Sequence, residues 1–257
     1  MTPAGTTIDV RGRSTEVRVE GTGEPLVYLH GGGIVEGLDF LTALSGRFRV
    51  VAPFLPGYGS TELDPPVSSR GDVARHTRDV LDALGIERTV LVGHSLGGWR
   101  AAHFAALFPE RVSRLVLGAP WGMNVPECTV PDLASMSPAE RLALMTTDPR
   151  IFEGRFPSGP DPEFRATRER EHVSRTRIMP GPHDPELADT LARITAPTLL
   201  LWGEEDKVSP LPHAAAWQKA IPQAELRTFP GRGHLLFRED PELLPAAVAD
   251  PSQEAGR

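Results

Sequence analysis

Apolar and polar residues alternate with a period of two near the start of the chain, where Ile8 and Val10, then Val17 and Val19, flank the Gly12-Arg13 turn. Alternation puts one face of a segment in a core and the other in water, so this pair predicts an antiparallel hairpin at a sheet edge. Further along the period disappears. Leu26 to Leu29, Phe48 to Ala52, Thr89 to Val92, Leu115 to Leu117 and Thr198 to Trp202 are continuous apolar runs, as expected of parallel strands covered on both faces by helices. A helical period separates them: Val73, Thr77, Val80, Leu81 and Leu84 share a face that ends at Gly85, and Trp99, Ala102 and Ala106 carry a second helix to Pro109.

Residues 121–193 break this rhythm. They are rich in proline and arginine, with turn clusters at Phe156-Pro157-Ser158-Gly159-Pro160 and Met179-Pro180-Gly181-Pro182. Short helices are expected here, one after Ser137-Pro138 with Glu140 in its first turn and one from Pro162 to Arg177. Beyond them, Ala224 to Phe229 reads as a strand. The expected division is a core of 1–120 and 194–250, an inserted segment of 121–193, and a polar tail, 251–257, with fraying from Asp250 onward.

Composition narrows the class. A chain of 257 residues, 40% hydrophobic and 24% charged, suits one α/β domain. The formal charge of -7 argues against a nucleic-acid partner. Met1 to Arg13 has no apolar stretch of signal-peptide length, and no run approaches the ~18 residues of a membrane helix, so a cytoplasmic protein without membrane contact is expected. Cys128 is the single cysteine; it has no partner for an internal disulfide or a thiolate metal site, and nothing in sequence activates it.

Chemistry concentrates at the ends of the apolar runs. Gly93-His94-Ser95-Leu96-Gly97-Gly98 sets a serine between glycines, straight after a strand and before a helix. A hydroxyl nucleophile needs such a sharp turn, and the following helix aims its free amides at the serine. His30-Gly31-Gly32-Gly33 ends another run and offers backbone that can approach a substrate and present a second amide. Gly203-Glu204-Glu205-Asp206 supplies a carboxylate after the Thr198 run, and Gly231-Arg232-Gly233-His234 follows the Ala224 strand. The order is serine, acid, histidine. Glu205 is the rival to Asp206 for the acid, and Gly31, Gly33 and Ile34 are rivals to Gly32 for the second amide.

With Leu55-Pro56-Gly57-Tyr58-Gly59-Ser60 added, these stretches resemble the α/β-hydrolase superfamily from about Thr6 to Val248. The resemblance implies a mostly parallel eight-stranded sheet with helices on both faces, a small helical lid over residues 121–193, and a catalytic triad of Ser95, His234 and Asp206. It also implies oxyanion donors on Gly32 and Leu96, and a reaction that needs neither metal nor organic cofactor. Phe54 departs from the aspartate that many relatives carry before the Leu-Pro-Gly-Tyr-Gly loop, which bears on that loop's contacts and not on the triad.

A serine nucleophile is unlike the aspartate of epoxide hydrolases and haloalkane dehalogenases. The expected reaction is hydrolysis of a small carboxylic ester, lactone or thioester with a largely apolar acyl group, through an acyl-enzyme on Ser95. Gly33, Ile34, Trp121, Met123, Val208 and Leu235 are candidate pocket residues. The glycine loop is also similar to that of carbon-carbon hydrolases of aromatic degradation, which usually carry tryptophan where Leu235 stands. A small-molecule receptor with a hydrolase fold is the non-enzymatic alternative. His30 and His94 are expected to brace their loops, and His76, His103, His172, His183 and His213 to be surface or packing residues. Arg165, Arg168, Arg170, Arg175 and Arg177 could clamp a carboxylate, but with Glu163, Glu169 and Glu171 among them a solvated, self-paired helix face is expected.

Overall fold

The computed structural model describes residues 5–35, 37–64, 67–128, 130–133, 136–179 and 181–249; the tail expected to fray lies outside them. Eight strands form one sheet in the order β1-β2-β4-β3-β5-β6-β7-β8. They are β1 (Thr6–Val10), β2 (Arg13–Glu20), β3 (Glu24–Leu29), β4 (Phe48–Pro53), β5 (Thr89–His94), β6 (Val112–Gly118), β7 (Thr198–Gly203) and β8 (Ala224–Phe229). The expected hairpin is present, with Val10 opposite Arg13, and β2 also runs antiparallel to β4. Every later pairing is parallel. The apolar runs become central strands with both faces covered: Leu26, Val27, Leu91, Val92, Leu115, Leu199 and Leu200 are buried.

From β3 the chain steps outward to β4 and then returns to lay β5 on the other side of β3. The strand order therefore reverses between β3 and β5, where Leu29 pairs with Gly93. A crevice opens at the carboxyl ends of strands at such a reversal. Here His30-Gly31-Gly32-Gly33 and Ser95 leave those two ends side by side.

Helix α1 (Arg70–Ala83) starts at Ser69, whose hydroxyl accepts the Asp72 amide, and buries Val73, Thr77, Val80 and Leu81 as the period predicts. Helix α2 (Leu96–Leu107) is buried from Leu96 to Ala105, Arg100 and His103 included. Between β6 and β7 come α3 (Pro138–Met145), α4 (Pro162–Ile178) and α5 (Leu187–Leu191). Ser137 and Glu140 close a reciprocal capping box on α3, and Asp161 caps α4 by accepting the Glu163 and Phe164 amides. Leu187 and Leu191 of α5 already belong to the main hydrophobic core. Helices α6 (Leu211–Ala220), α7 (Leu236–Glu239) and α8 (Leu243–Ala249) complete the layers. Among the described residues no helix is long and apolar enough to cross a membrane.

The crossings into and out of the segment after β6 are fastened together. Asp184 donates its amide to the Gly122 carbonyl at 2.8 Å, and its carboxylate accepts from Trp99 Nε1 at 2.9 Å and His103 Nε2 at 2.8 Å on α2, and from Arg70 on α1. Burial opposes ionisation of this carboxyl, but the hydrogen bonds from His103 and Trp99 outweigh it and hold it at about 2.

Candidate active site

Ser95 occupies the turn between β5 and α2 with φ 53° and ψ -120°, a region that a residue with a side chain adopts only when its surroundings force it. Those surroundings are explicit. The Ser95 amide donates to the Gly118 carbonyl at 2.9 Å, and the Ser95 carbonyl accepts from Gly98, Trp99 and Trp121 at 2.9, 3.1 and 3.1 Å. A side chain on Gly97 would run into the Leu29 carbonyl, and one on Gly93 into the Gly97 carbonyl. The two glycines flanking the serine are thus required by close backbone approach.

His234 reaches the serine from the loop after β8. Its Nε2 lies 2.9 Å from Ser95 Oγ and its Nδ1 lies 2.8 Å from Asp206 Oδ2. The other Asp206 oxygen accepts the Val208 and Ser209 amides, each at 2.8 Å. Asp206 is buried while Glu205 is exposed, and of the two carboxylates it is Asp206 that meets the imidazole. With Nδ1–H donated to Asp206, the Nε2 lone pair faces the serine hydroxyl. Such a chain can take the proton of a hydroxyl as it attacks a carbonyl, with the carboxylate holding the imidazole tautomer.

Two neutral histidines brace this arrangement. Burial, followed by the neighbouring His234, lowers His94 to about 3, and its Nε2–H donates to the His234 carbonyl at 2.8 Å. Burial, followed by Arg100, lowers His30 to about 3; its Nδ1–H donates to the Gly31 carbonyl at 2.8 Å while Nε2 accepts the Leu55 amide at 3.1 Å. His30 therefore rivets the glycine loop to the loop after β4. Phe54, in place of an aspartate, packs its ring 5.8 Å from His30, and Tyr58 donates its hydroxyl to the Gly32 carbonyl at 3.2 Å. The loop keeps its position through ring packing and backbone bonds.

The arginine-rich helix meets the expectation of a solvated face in part: Glu163, Arg165, Glu169 and Arg170 are exposed, but the opposite side turns inward. Glu171, Ser174 and Ile178 are buried, and Arg168 and Arg175 share their side of α4 and lie across the glycine loop. Arg175 Cδ stands 3.3 Å from the position of a β-carbon on Gly32, and Arg168 Nη1 stands 3.1 Å from one on Gly33. Arginine stems are apolar enough to pack inward, which a polarity pattern does not register. The expected pairing is present in part: Arg168 binds Glu171 and Arg175 meets His172 Nδ1 at 2.8 Å. Burial raises the Glu171 carboxyl, against the pull of Arg168, Arg170 and Arg175. A cleft of about 280 Å³ opens here, lined by Gly32, Arg141, Arg165, Arg168, Glu171 and Arg175 among others. A larger groove of about 580 Å³ lies between Leu63 and the outer side of α4; neither it nor the cleft is lined by Ser95, Asp206 or His234.

Of the candidate pocket residues, Gly33 lies under Arg168 and Ile34 and Trp121 are partly exposed, whereas Met123, Val208 and Leu235 are buried. None of these six lines the arginine cleft. Leu235 bonds its amide to the Met145 carbonyl at 3.0 Å. Beside it, Glu239 accepts from the Gly233 amide at 2.7 Å and the Thr147 amide at 3.0 Å, tying the His234 loop to the chain just past α3. Neither Glu239 nor Asp184 stands out in the sequence, since Asp184 meets Trp99 85 positions away and Glu239 joins nearby Gly233 to Thr147 92 positions away. Among the described residues no group of three or more His, Cys, Asp or Glu converges as a metal site would require.

Comparison with known proteins bears on the fold and the family. A 2-hydroxy-6-oxononadienedioate/2-hydroxy-6-oxononatrienedioate hydrolase from Paraburkholderia phymatum is 32% identical over 261 residues, covering 88% of each chain. A meta-cleavage product hydrolase from Pseudomonas fluorescens superposes with a TM-score of 0.80 at 24% identity, over 98% of this chain and 99% of that one. Naproxen esterase from Bacillus subtilis superposes with a TM-score of 0.76 at 24% identity, over 96% and 91%. The model of the alpha/beta hydrolase family matches residues 26–247, from the strand that leads into the glycine loop to the last helix, and the chain belongs to that family.

Proposed function

We propose that the chain is a serine hydrolase that cleaves the ester bond of a small molecule bearing a carboxylate, without cofactor. The observation that carries this reading is the hydrogen-bonded chain Ser95, His234, Asp206 at 2.9 and 2.8 Å beside the glycine loop. Ser95 attacks the acyl carbon as His234 takes its proton; Asp206 steadies the imidazolium. The Leu96 amide at the start of α2 and the Gly32 amide hold the oxyanion, each worth about 3 kcal/mol in the transition state. His234 then returns its proton to the leaving alcohol, and water cleaves the acyl-enzyme with His234 again as base.

Residues 121–193 serve as the lid. Helix α4 brings Arg168 and Arg175 over Gly33 and Gly32, where their guanidinium groups pair with a substrate carboxylate. The apolar acyl part lies toward Ile34, Trp121 and Met123.

A second reading, hydrolysis of a carbon-carbon bond next to a ketone, is favoured by the Paraburkholderia relative, whose named substrate is a dicarboxylate. The same serine chain and arginines would serve it. Rates on p-nitrophenyl butyrate, mono-p-nitrophenyl glutarate and a 2-hydroxy-6-oxodienoate separate these readings. Preference for the glutarate over the butyrate is expected. Turnover of the dienoate alone would replace the ester reading with the second, and no Ser95-dependent turnover of any of the three would overturn both.

A further inference from the structure

A buried guanidinium lies on the helix that follows Ser95 and acts on His30 at the head of the glycine loop. Arg100 of α2 is 2% exposed, yet its Nε and Nη1 have no hydrogen-bond partner among the described residues. Taking a guanidinium out of water is costly and is normally offset by a carboxylate or a ring of acceptors. The one acidic group that acts on Arg100 is Tyr58. Burial raises that phenol to about 12, so it is neutral and its hydroxyl proton is already given to Gly32.

The groups that act on Arg100 include no carboxylate. His76 of α1 is held down to about 4 by burial and then by Arg100, and its Nε2 is likewise buried without a partner. Both nitrogens of His30, which also feels Arg100, are satisfied. Asp64 and Asp79 act on His76 but not on Arg100; each forms ion pairs, Asp64 with Arg13 at 3.1 Å and Asp79 with Arg11 at 3.1 Å and Arg78 at 2.8 Å, while Asp64 Oδ1 and Asp79 Oδ2 make no hydrogen bond among the described residues. Arg100 Nε and Nη1 and His76 Nε2 are thus buried nitrogens without acceptors, on two packed helices next to the Leu55–Tyr58 turn.

A halide suits this environment. It carries one charge against one guanidinium and accepts from two or three donors with no directional demand. A phosphate or sulfate would bring a second charge and several further oxygens that these donors cannot satisfy. We propose that Arg100 and His76 form a binding site for a chloride ion, and that the bound ion stabilises the α1–α2 layer and the Tyr58 link to Gly32. The proposal goes beyond the hydrolase reading and stands independently of the substrate.

The test is thermal unfolding of the full chain in sodium chloride and in sodium gluconate at equal ionic strength, for wild type and for Arg100→Met. Surface screening is the same in both salts. In wild type, the melting temperature is expected to rise about 3 °C for each tenfold of chloride above the dissociation constant, and Arg100→Met removes the response. Identical melting in the two salts, or an unchanged chloride response in Arg100→Met, overturns the site. Should that variant fail to fold, bromide-soaked crystals of wild type decide: an anomalous peak within about 3.5 Å of Arg100 Nε or Nη1 supports the proposal, and a water there without anomalous signal overturns it.

Discussion

His94 Nε2 lies 2.8 Å from the carbonyl oxygen of His234, so the residue before the serine fixes the backbone of the residue that faces it. The link joins the ends of β5 and the loop after β8, and burial keeps the His94 ring that makes it neutral. Replacing His94 by Phe preserves a ring beside Phe237 and removes the donor. A fall in kcat of about tenfold with little change in KM is expected, as for one lost hydrogen bond felt in the transition state. Steady-state kinetics on an activated ester checks it, and an unchanged kcat would show that the link is dispensable.

Asp206→Asn keeps the shape of the loop but presents an amide to His234 Nδ1 and lets the wrong tautomer face Ser95. A drop in kcat of about four orders of magnitude is expected with a folded protein. Glu205→Gln, at an exposed position, should leave kcat within about twofold, because exposed charges couple weakly. Reversal of this ranking would move the acid to Glu205.

Arg175 and Glu171 should act in opposite directions on anionic substrates. Arg175→Gln is expected to raise KM for mono-p-nitrophenyl glutarate by about 10- to 100-fold, the loss of a charge-assisted hydrogen bond, and to leave p-nitrophenyl butyrate nearly unchanged. Glu171→Gln removes the carboxylate that holds Arg168 and should lower KM for the glutarate. Equal effects of Arg175→Gln on both esters would mean that the residue only packs.

Asp184 is the fastening of the segment that α3 and α4 belong to. Its folded carboxyl sits at about 2, below the ordinary value of 3.8. The unfolded chain therefore binds the proton more readily, and the stabilisation is present in full above about pH 4 and lost as pH falls toward 2. Asp184→Asn should cost about 2 to 4 kcal/mol at pH 7, because His103 and Arg70 lose their charged partner. Urea unfolding at pH 7 and at pH 3 measures it; a penalty that does not shrink at the lower pH would contradict the linkage.

Much of this was legible in the chain. The central strands are apolar runs because both faces are covered, and the serine and histidine that meet in the structure stand in turns at strand ends, where backbone demands are local. The inward turn of Arg168 and Arg175 was not legible, since a polarity pattern counts the guanidinium and not the stem that packs on Gly32 and Gly33. Asp184 and Glu239 were hidden for a different reason: Asp184 gains its role from α1 and α2 partners far along the chain, and Glu239 from joining nearby Gly233 to distant Thr147. The choice between Asp206 and Glu205 likewise needed the fold, which buries one and leaves its neighbour in water.

The most direct test compares hydrolysis of p-nitrophenyl butyrate by wild type and Ser95→Ala, after matched thermal melts show both to be folded. Turnover by wild type and a loss of at least about a thousandfold in the variant are expected when the nucleophile is removed. A folded Ser95→Ala protein that keeps most of the activity would contradict the assignment of Ser95, and with it the mechanism.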